Sequence, residues 1–222
     1  MEKAGKIYNL KLNKEFIIQI AIIAILLLLI SYNIGRVWGG NISINTKSIT
    51  GLFSSSIIPY GTPDIYGKEL GIKYDDVSPN DPQKADQTIA ILKNLDLTLS
   101  LEGENLQRYI QTLTQISCEY CCGAKSIIFD NGQAACGCAH SYAMRGLAKY
   151  LLNYHGNEFT DDEILSELGK WKVLFFPGIH ETKAEVLKSQ GIKVDYINLT
   201  SNKYRGIEQG QASGSSGMVG GC

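Results

Sequence analysis

The sequence predicts a mainly α protein. It has an N-terminal single transmembrane helix, then a small helical external domain with a cysteine-rich β-hairpin and a short C-terminal α/β element. Three observations predict this. Residues 16–34 open with the apolar run FIIQIAIIAILLLLI, broken only by Gln19. Between residues 81 and 190 apolar side chains recur at three- and four-residue steps, the spacing of one helix face. Five of the six cysteines fall between Cys118 and Cys138, around Asn131-Gly132. That dipeptide favours a two-residue hairpin, because a type I′ turn needs positive φ at both centres.

A helix of about 20 apolar residues crosses the hydrocarbon core of a bilayer. Tyr32 and Trp38 suit the interface at the far end of the run. Lys3, Lys6, Lys11 and Lys14 precede it, against Arg36 and Lys47 in the stretch after it. The positive-inside tendency then puts residues 1–15 in the cytoplasm and the rest outside the cell membrane. The expected partners are the lipid bilayer and a protein at the cell surface. A signal peptide and a filament-subunit leader are competing readings. No small-x-small site follows the run, and Lys14-Glu15 is no leader processing site.

Residues 35–80 read as a stalk and extended loop, carrying Pro59, Pro63 and Pro79. Tyr60, Tyr66 and Tyr74 are expected to pack on the domain. Residues 81–200 form the helical cysteine-rich domain. Asp81-Pro82 is a helix N-cap followed by proline at the first helical position. Ile89, Leu92 and Leu95 mark that helix's buried stripe. A second helix runs from about Glu104 to Ser117 and a third from Ala139 to Tyr154. Thr160-Asp161-Asp162-Glu163 is a capping box that opens a fourth. Val173 to Phe176 reads as a short strand stopped by Pro177-Gly178. A helix over 181–190 and an alternating run over 192–199 complete a strand–helix–strand element. Residues 201–222 form a flexible Gly/Ser tail without core content.

Hydrophobic residues make up 44% and charged residues 19%, which supports a packed core and excludes wholesale disorder. Lys plus Arg number 21 against 22 Asp plus Glu, so no global field draws nucleic acid. No nucleotide loop, serine triad order or zinc-protease helix motif occurs.

The chemistry concentrates in Cys118-Glu-Tyr-Cys121-Cys122-Gly and Cys136-Gly-Cys138-Ala-His140. A two-residue turn at Asn131-Gly132 makes Phe129 face Ala134, Ile127 face Cys136 and Gly123 face His140. The fold-back gathers six candidate metal ligands: Cys118, Cys121, Cys122, Cys136, Cys138 and His140. Cys-x2-Cys is the knuckle spacing of thiolate metal sites, and four of the six would close a tetrahedral zinc site. The surplus of sulfur, with Met144 one turn after His140, also suits copper(I). An iron–sulfur cluster is a further alternative. Disulfides are the structural alternative for thiols outside a membrane. In a redox alternative, Cys118 and Cys121 form a catalytic pair; Lys125 and Arg145 are the nearby cations, and Cys118 sits at a helix C-terminus that disfavours a thiolate. His155 and His180 are isolated and expected at the surface. Cys222 and Met218 offer at most a loose extra ligand, so deleting the tail should cost less than about tenfold in metal affinity.

Residues 116–178 resemble two known patterns. Cys118-x2-Cys121, Arg145-Gly-Leu-Ala-Lys-Tyr-Leu-Leu, Gly156, Thr160-Asp-Asp-Glu-Ile-Leu and Trp171-Lys-Val-Leu-Phe-Phe-Pro resemble the thiol subunit of bacterial cytochrome c maturation (the CcmH/CycL/NrfF type). That likeness implies a membrane-anchored, extracytoplasmic thiol reductase or haem-delivery partner. Cys121-Cys122-Gly123 and Cys136-Gly-Cys138-Ala-His140 resemble the PCYCGC-motif lipoproteins, without the motif itself. That likeness implies a metal-binding surface protein. The sequence therefore predicts a membrane-anchored extracytoplasmic metal-binding protein, structural zinc first and copper handling second. The alternatives are a thiol–disulfide oxidoreductase and a surface interaction module stapled by the site.

Overall fold

The structure is a computed structural model that describes residues 57–210 and 217–221, together with Ile23. The chain divides into Met1–Ser54 and Ser55–Cys222, and the elements below belong to the second unit. Seven α-helices follow one another among the described residues: α1 (Tyr66–Leu70), α2 (Pro82–Thr98), α3 (Gly103–Leu113), α4 (Ala139–His155), α5 (Asp161–Phe175), α6 (Pro177–Ser189) and α7 (Tyr196–Thr200).

Local chemistry sets the helix ends. The Asp81 side chain accepts from the Lys84 N–H with Pro82 at the first helical position, so α2 starts there. The Thr160–Glu163 capping box closes on itself at α5. The helices pack through α2 against α4 and α4 against α5, around Leu92, Leu113, Leu147, Leu151, Leu168, Trp171 and Phe175. The α2–α4 approach depends on a glycine: a Cβ on Gly146 would sit 1.9 Å from the Leu92 carbonyl oxygen. Beside that contact, Arg145 Nε meets Asp96 Oδ2 at 2.8 Å, with the arginine buried. Tyr66 and Tyr74 pack inside the domain, whereas Tyr60 is exposed.

Several expectations are corrected. No strand or sheet forms among the described residues; only three isolated antiparallel bridges occur, Ile116 with Ser201, Cys118 with Ala124 and Ile128 with Ala134. The β-hairpin does not form as paired strands, because the pairing stops at one bridge, and the turn is longer than a two-residue one. Gly132 N–H donates to the Phe129 carbonyl and Phe129 N–H to the Gln133 carbonyl, with Gly132 at φ 82°. Asp130, Asn131 and Gly132 thus form a three-residue loop, which shifts the register by one from the predicted pairing.

The C-terminal α/β element is also absent. Val173 to Phe175 form the last turn of α5, and Val194 leads instead into α7, capped by the Asp195 side chain. Apolar runs of four residues fit a buried helix turn as well as a strand, and packing decided for the helix.

The predicted transmembrane helix, residues 16–34, lies outside the described residues except for Ile23. Among the described residues no helix is long and apolar enough to cross a membrane. The longest, α2 and α4, have 17 residues each and carry charges such as Lys84, Lys93 and Lys149. The single-pass reading, with a cytoplasmic N-terminus and an extracytoplasmic domain, finds no support among the described residues. The Gly/Ser tail, read as lacking core content, contributes Val219, which is buried.

Candidate metal centre

The sulfur atoms converge because two short loops meet the first turn of α4. Cys138 is the N-cap of α4, and its Sγ accepts from the Ser141 N–H at 3.3 Å. This places Cys138, His140 and Ser141 on the opening turn, where the helix dipole favours an anionic sulfur. The loop from Cys118 to Ala124 closes on itself through a Cys118 N–H bond to the Ala124 carbonyl. Arg205 clamps it from outside, donating to the Gly123 and Ala124 carbonyls at 2.6 and 2.7 Å. Arg145 fixes the other loop by donating to the Cys136 carbonyl at 2.8 Å.

Cys122 and Cys136 are joined in a disulfide, and Cys118, Cys121 and Cys138 lie beside it. Cys118 Sγ lies 3.8 Å from Cys138 Sγ, and Cys121 Sγ lies 3.7 Å from His140 Nδ1. Two groups have the spacing to hold a metal ion: Cys121 with Cys138 and His140, and, once Cys136 is reduced, Cys118 with Cys136 and Cys138. Within each group the ligand atoms all lie within 4.8 Å of one another, and Cys138 belongs to both. The six residues singled out from sequence therefore meet in one cluster, although the hairpin meant to gather them does not exist.

His140 is the best-determined member. Its ring is buried against Phe175 and Phe176, and its Nε2 lies 2.8 Å from the Val219 carbonyl. A carbonyl only accepts, so Nε2 carries the proton and Nδ1 presents its lone pair to the cysteines. The tail is seated for this task. Val219 N–H donates to the Phe175 carbonyl, and Gly221 N–H donates to Asp86 Oδ1 at 2.9 Å. Gly220 has φ 81° and packs against Ile89, which suits a residue without a side chain. Met218 brings its Sδ to 3.7 Å from Cys121 Sγ.

The electrostatics sort the thiols. Hydrogen bonds from Cys118 and Cys121 hold the Cys138 thiol far below the usual cysteine range, against the opposing effect of burial. The bond to Cys138 and then burial push the Cys118 thiol up. Negative charge therefore settles on Cys138, the thiol at the helix N-terminus.

A buried ionic cluster lies beside the cysteines. Lys183 Nζ meets Glu119 Oε1 at 3.1 Å and Lys172 Nζ meets it at 3.4 Å. Burial lowers Lys172 to about 8 in spite of Glu119. Burial raises Glu119, but the Lys172 and Lys183 charges outweigh it and hold the carboxyl at about 2. Lys172 also lines a small cavity of about 10 Å³ with Cys118, Cys121, Cys138, His140 and Ser141.

Lys172, not Lys125 or Arg145, is thus the cation that shares a cavity with the thiols. Arg145 serves Asp96 and the Cys136 carbonyl instead. Met144 lines the same cavity as a buried core residue. His155 and His180 are buried, not surface residues. His155 bridges Glu69 and Glu158, and His180 Nδ1 donates to the Phe176 carbonyl. Sequence reasoning missed Val219, Lys172 and Glu119. Only the proximity of Glu119 to Cys118 in the chain hinted at any of them. Cys222 lies outside the described residues. Comparison with known proteins finds no matching family model, no matching curated protein and no matching solved structure.

Proposed function

We propose that this chain is a zinc-binding protein whose ion is held by Cys118, Cys121, Cys138 and His140. The observation that carries the reading is the His140 ring. Its Nε2–H is committed to the Val219 carbonyl, and its Nδ1 faces Cys121 Sγ. Metal-ligating histidines characteristically donate their other ring N–H to a carbonyl or carboxylate. The spacing agrees. With Zn–S of about 2.3 Å and Zn–N of about 2.0–2.1 Å, a tetrahedron has S···S edges near 3.8 Å and S···N edges near 3.6 Å. The separations of 3.8 Å for Cys118–Cys138 and 3.7 Å for Cys121–His140 match those edges.

Four protein ligands and a buried surround describe a closed, structural site. The ion ties the loop after α3 to the start of α4, and through His140 to the tail. The dithiol reading has less support, because Cys118 is buried and its thiol is pushed up, the reverse of an activated redox cysteine. A copper(I) reading rests on one contact, the Met218 thioether beside Cys121.

Metal analysis of the purified full chain tests the proposal. Zinc should bind at one ion per chain without added reductant, and Cys138→Ser or His140→Asn should abolish tight binding. A chain that holds no zinc, or whose binding survives both substitutions, contradicts it. Met218→Leu should leave zinc affinity unchanged; a large loss of copper(I) affinity in that variant, with zinc bound only weakly, would favour copper.

A further inference from the structure

We infer that reduction of the Cys122–Cys136 disulfide converts this site into a two-metal thiolate cluster bridged by Cys118 and Cys138. The inference rests on the proposed zinc site and extends it. The two groups of ligand atoms share Cys138, and one contains Cys136, half of the disulfide. Cys118 Sγ lies 3.1 Å from Cys136 Sγ, 3.3 Å from Cys122 Sγ and 3.8 Å from Cys138 Sγ. Cys118 and Cys138 therefore stand between two pairs. Cys121 and His140 belong to the first ion, Cys122 and Cys136 to the second. Each ion then has four protein ligands, two of them shared.

Ligand chemistry permits thiolates to be shared and excludes His140 from sharing. A thiolate has lone pairs enough to bind two ions, whereas His140 has a single free nitrogen once Nε2 is bonded to Val219. The Cα atoms of Cys122 and Cys136 are 6.5 Å apart, so their sulfurs can separate to a tetrahedral edge of about 3.8 Å by side-chain rotation. Five thiolates around two divalent ions leave one negative charge. Lys172, which lines the same cavity, supplies a positive charge to meet it.

The conversion needs a dithiol reductant. It supplies two electrons and two protons. The Cys122–Cys136 S–S bond breaks, two cysteine thiols form, and the reductant closes its own disulfide. The second ion then displaces the two protons. The metal load of the chain thereby reports the redox state of Cys122 and Cys136.

The test is zinc stoichiometry of the full chain, read by native mass spectrometry. One sample is untreated. The other is treated anaerobically with excess dithiothreitol, which is removed before zinc is added. The expected result is one zinc per chain before reduction and two after. One zinc in both states overturns this inference and leaves the single-ion site standing. No zinc in either state removes both. Cys122→Ser combined with Cys136→Ser should bind one zinc under either condition, and two would overturn the assignment. Should that variant fail to fold, cobalt(II) in the reduced wild-type chain decides. Two bridged cobalt ions should couple magnetically, giving a moment below that of two independent ions. Two uncoupled ions would overturn the bridge.

Discussion

Deleting residues 211–222 should weaken zinc binding by 10- to 100-fold. The deletion removes no proposed ligand. It removes the Val219 carbonyl, which accepts the Nε2–H bond of His140 at 2.8 Å. It also removes the bonds that seat that carbonyl, from Val219 N–H to Phe175 and from Gly221 N–H to Asp86. Loss of an outer hydrogen-bond partner to a metal-bound histidine typically costs about 10- to 100-fold in affinity. That range corresponds to about 1.4–2.7 kcal/mol.

Sequence reasoning gives the opposite expectation, since closing a loop from His140 to Cys222 costs entropy and the local ligands suffice. In the structure the tail meets His140 through the Val219 backbone carbonyl. Competition against a chromophoric zinc chelator measures the change. Val219→Asp should reproduce much of it by undocking a buried side chain, whereas Met218→Leu and Cys222→Ser should stay within about threefold of the wild type. A truncated chain that binds zinc within about threefold of the full chain would refute the reasoning, as would a Met218→Leu variant as weak as the truncation.

Other perturbations have equally definite outcomes. Arg145→Met should destabilise the metal-free chain by about 3–5 kcal/mol in urea unfolding, less whatever Lys149 retains at Asp96, because it strands a buried carboxylate and frees the Cys136 carbonyl. An effect under about 1 kcal/mol would show that the pair is dispensable. Gly146→Ala should cost about 1–3 kcal/mol or more, since its Cβ would lie 1.9 Å from the Leu92 carbonyl oxygen; an unchanged melting temperature would contradict the close α2–α4 contact. Glu119, held at about 2 against an ordinary value of 4.5, adds stability that is fully present above about pH 4.5. As pH falls from there through about 2, the unfolded chain takes up the proton first and the contribution is lost. Denaturation of the metal-free chain between pH 5 and 2 should show this slope, and Glu119→Gln should flatten it; parallel profiles would count against the Glu119–Lys183 pairing.

What the sequence reveals follows from how local each signal is. The Asp81-Pro82 cap, the Thr160 capping box and the clustering of cysteines around Cys138 are written within a few residues, and the structure has α2, α5 and the sulfur cluster where they point. The Asn131-Gly132 turn is also local, but Asp130 joins it. That single residue shifts the register by one, and the pairing beyond it is a bridge instead of strands. Val173 to Phe175 cannot be assigned from apolarity alone, because helix and strand share that pattern until Leu168 and Trp171 are packed beside them. The least visible features act over long range. Val219 meets His140 from 79 residues further along the chain, and Lys172 and Lys183 meet Glu119 from two different helices. No spacing rule encodes such contacts. Burial of His180 was equally hidden, since an isolated histidine carries no sign of the Phe176 carbonyl that bonds its Nδ1.

The central claim is that Cys118, Cys121, Cys138 and His140 surround one zinc ion while Cys122 and Cys136 are disulfide-bonded. X-ray absorption at the zinc edge of the unreduced, singly loaded chain tests it most directly. The account predicts three sulfur neighbours at about 2.3 Å and one nitrogen at about 2.0–2.1 Å, with the nitrogen lost in His140→Asn. A shell of four sulfurs, or one of nitrogen and oxygen alone, would contradict it.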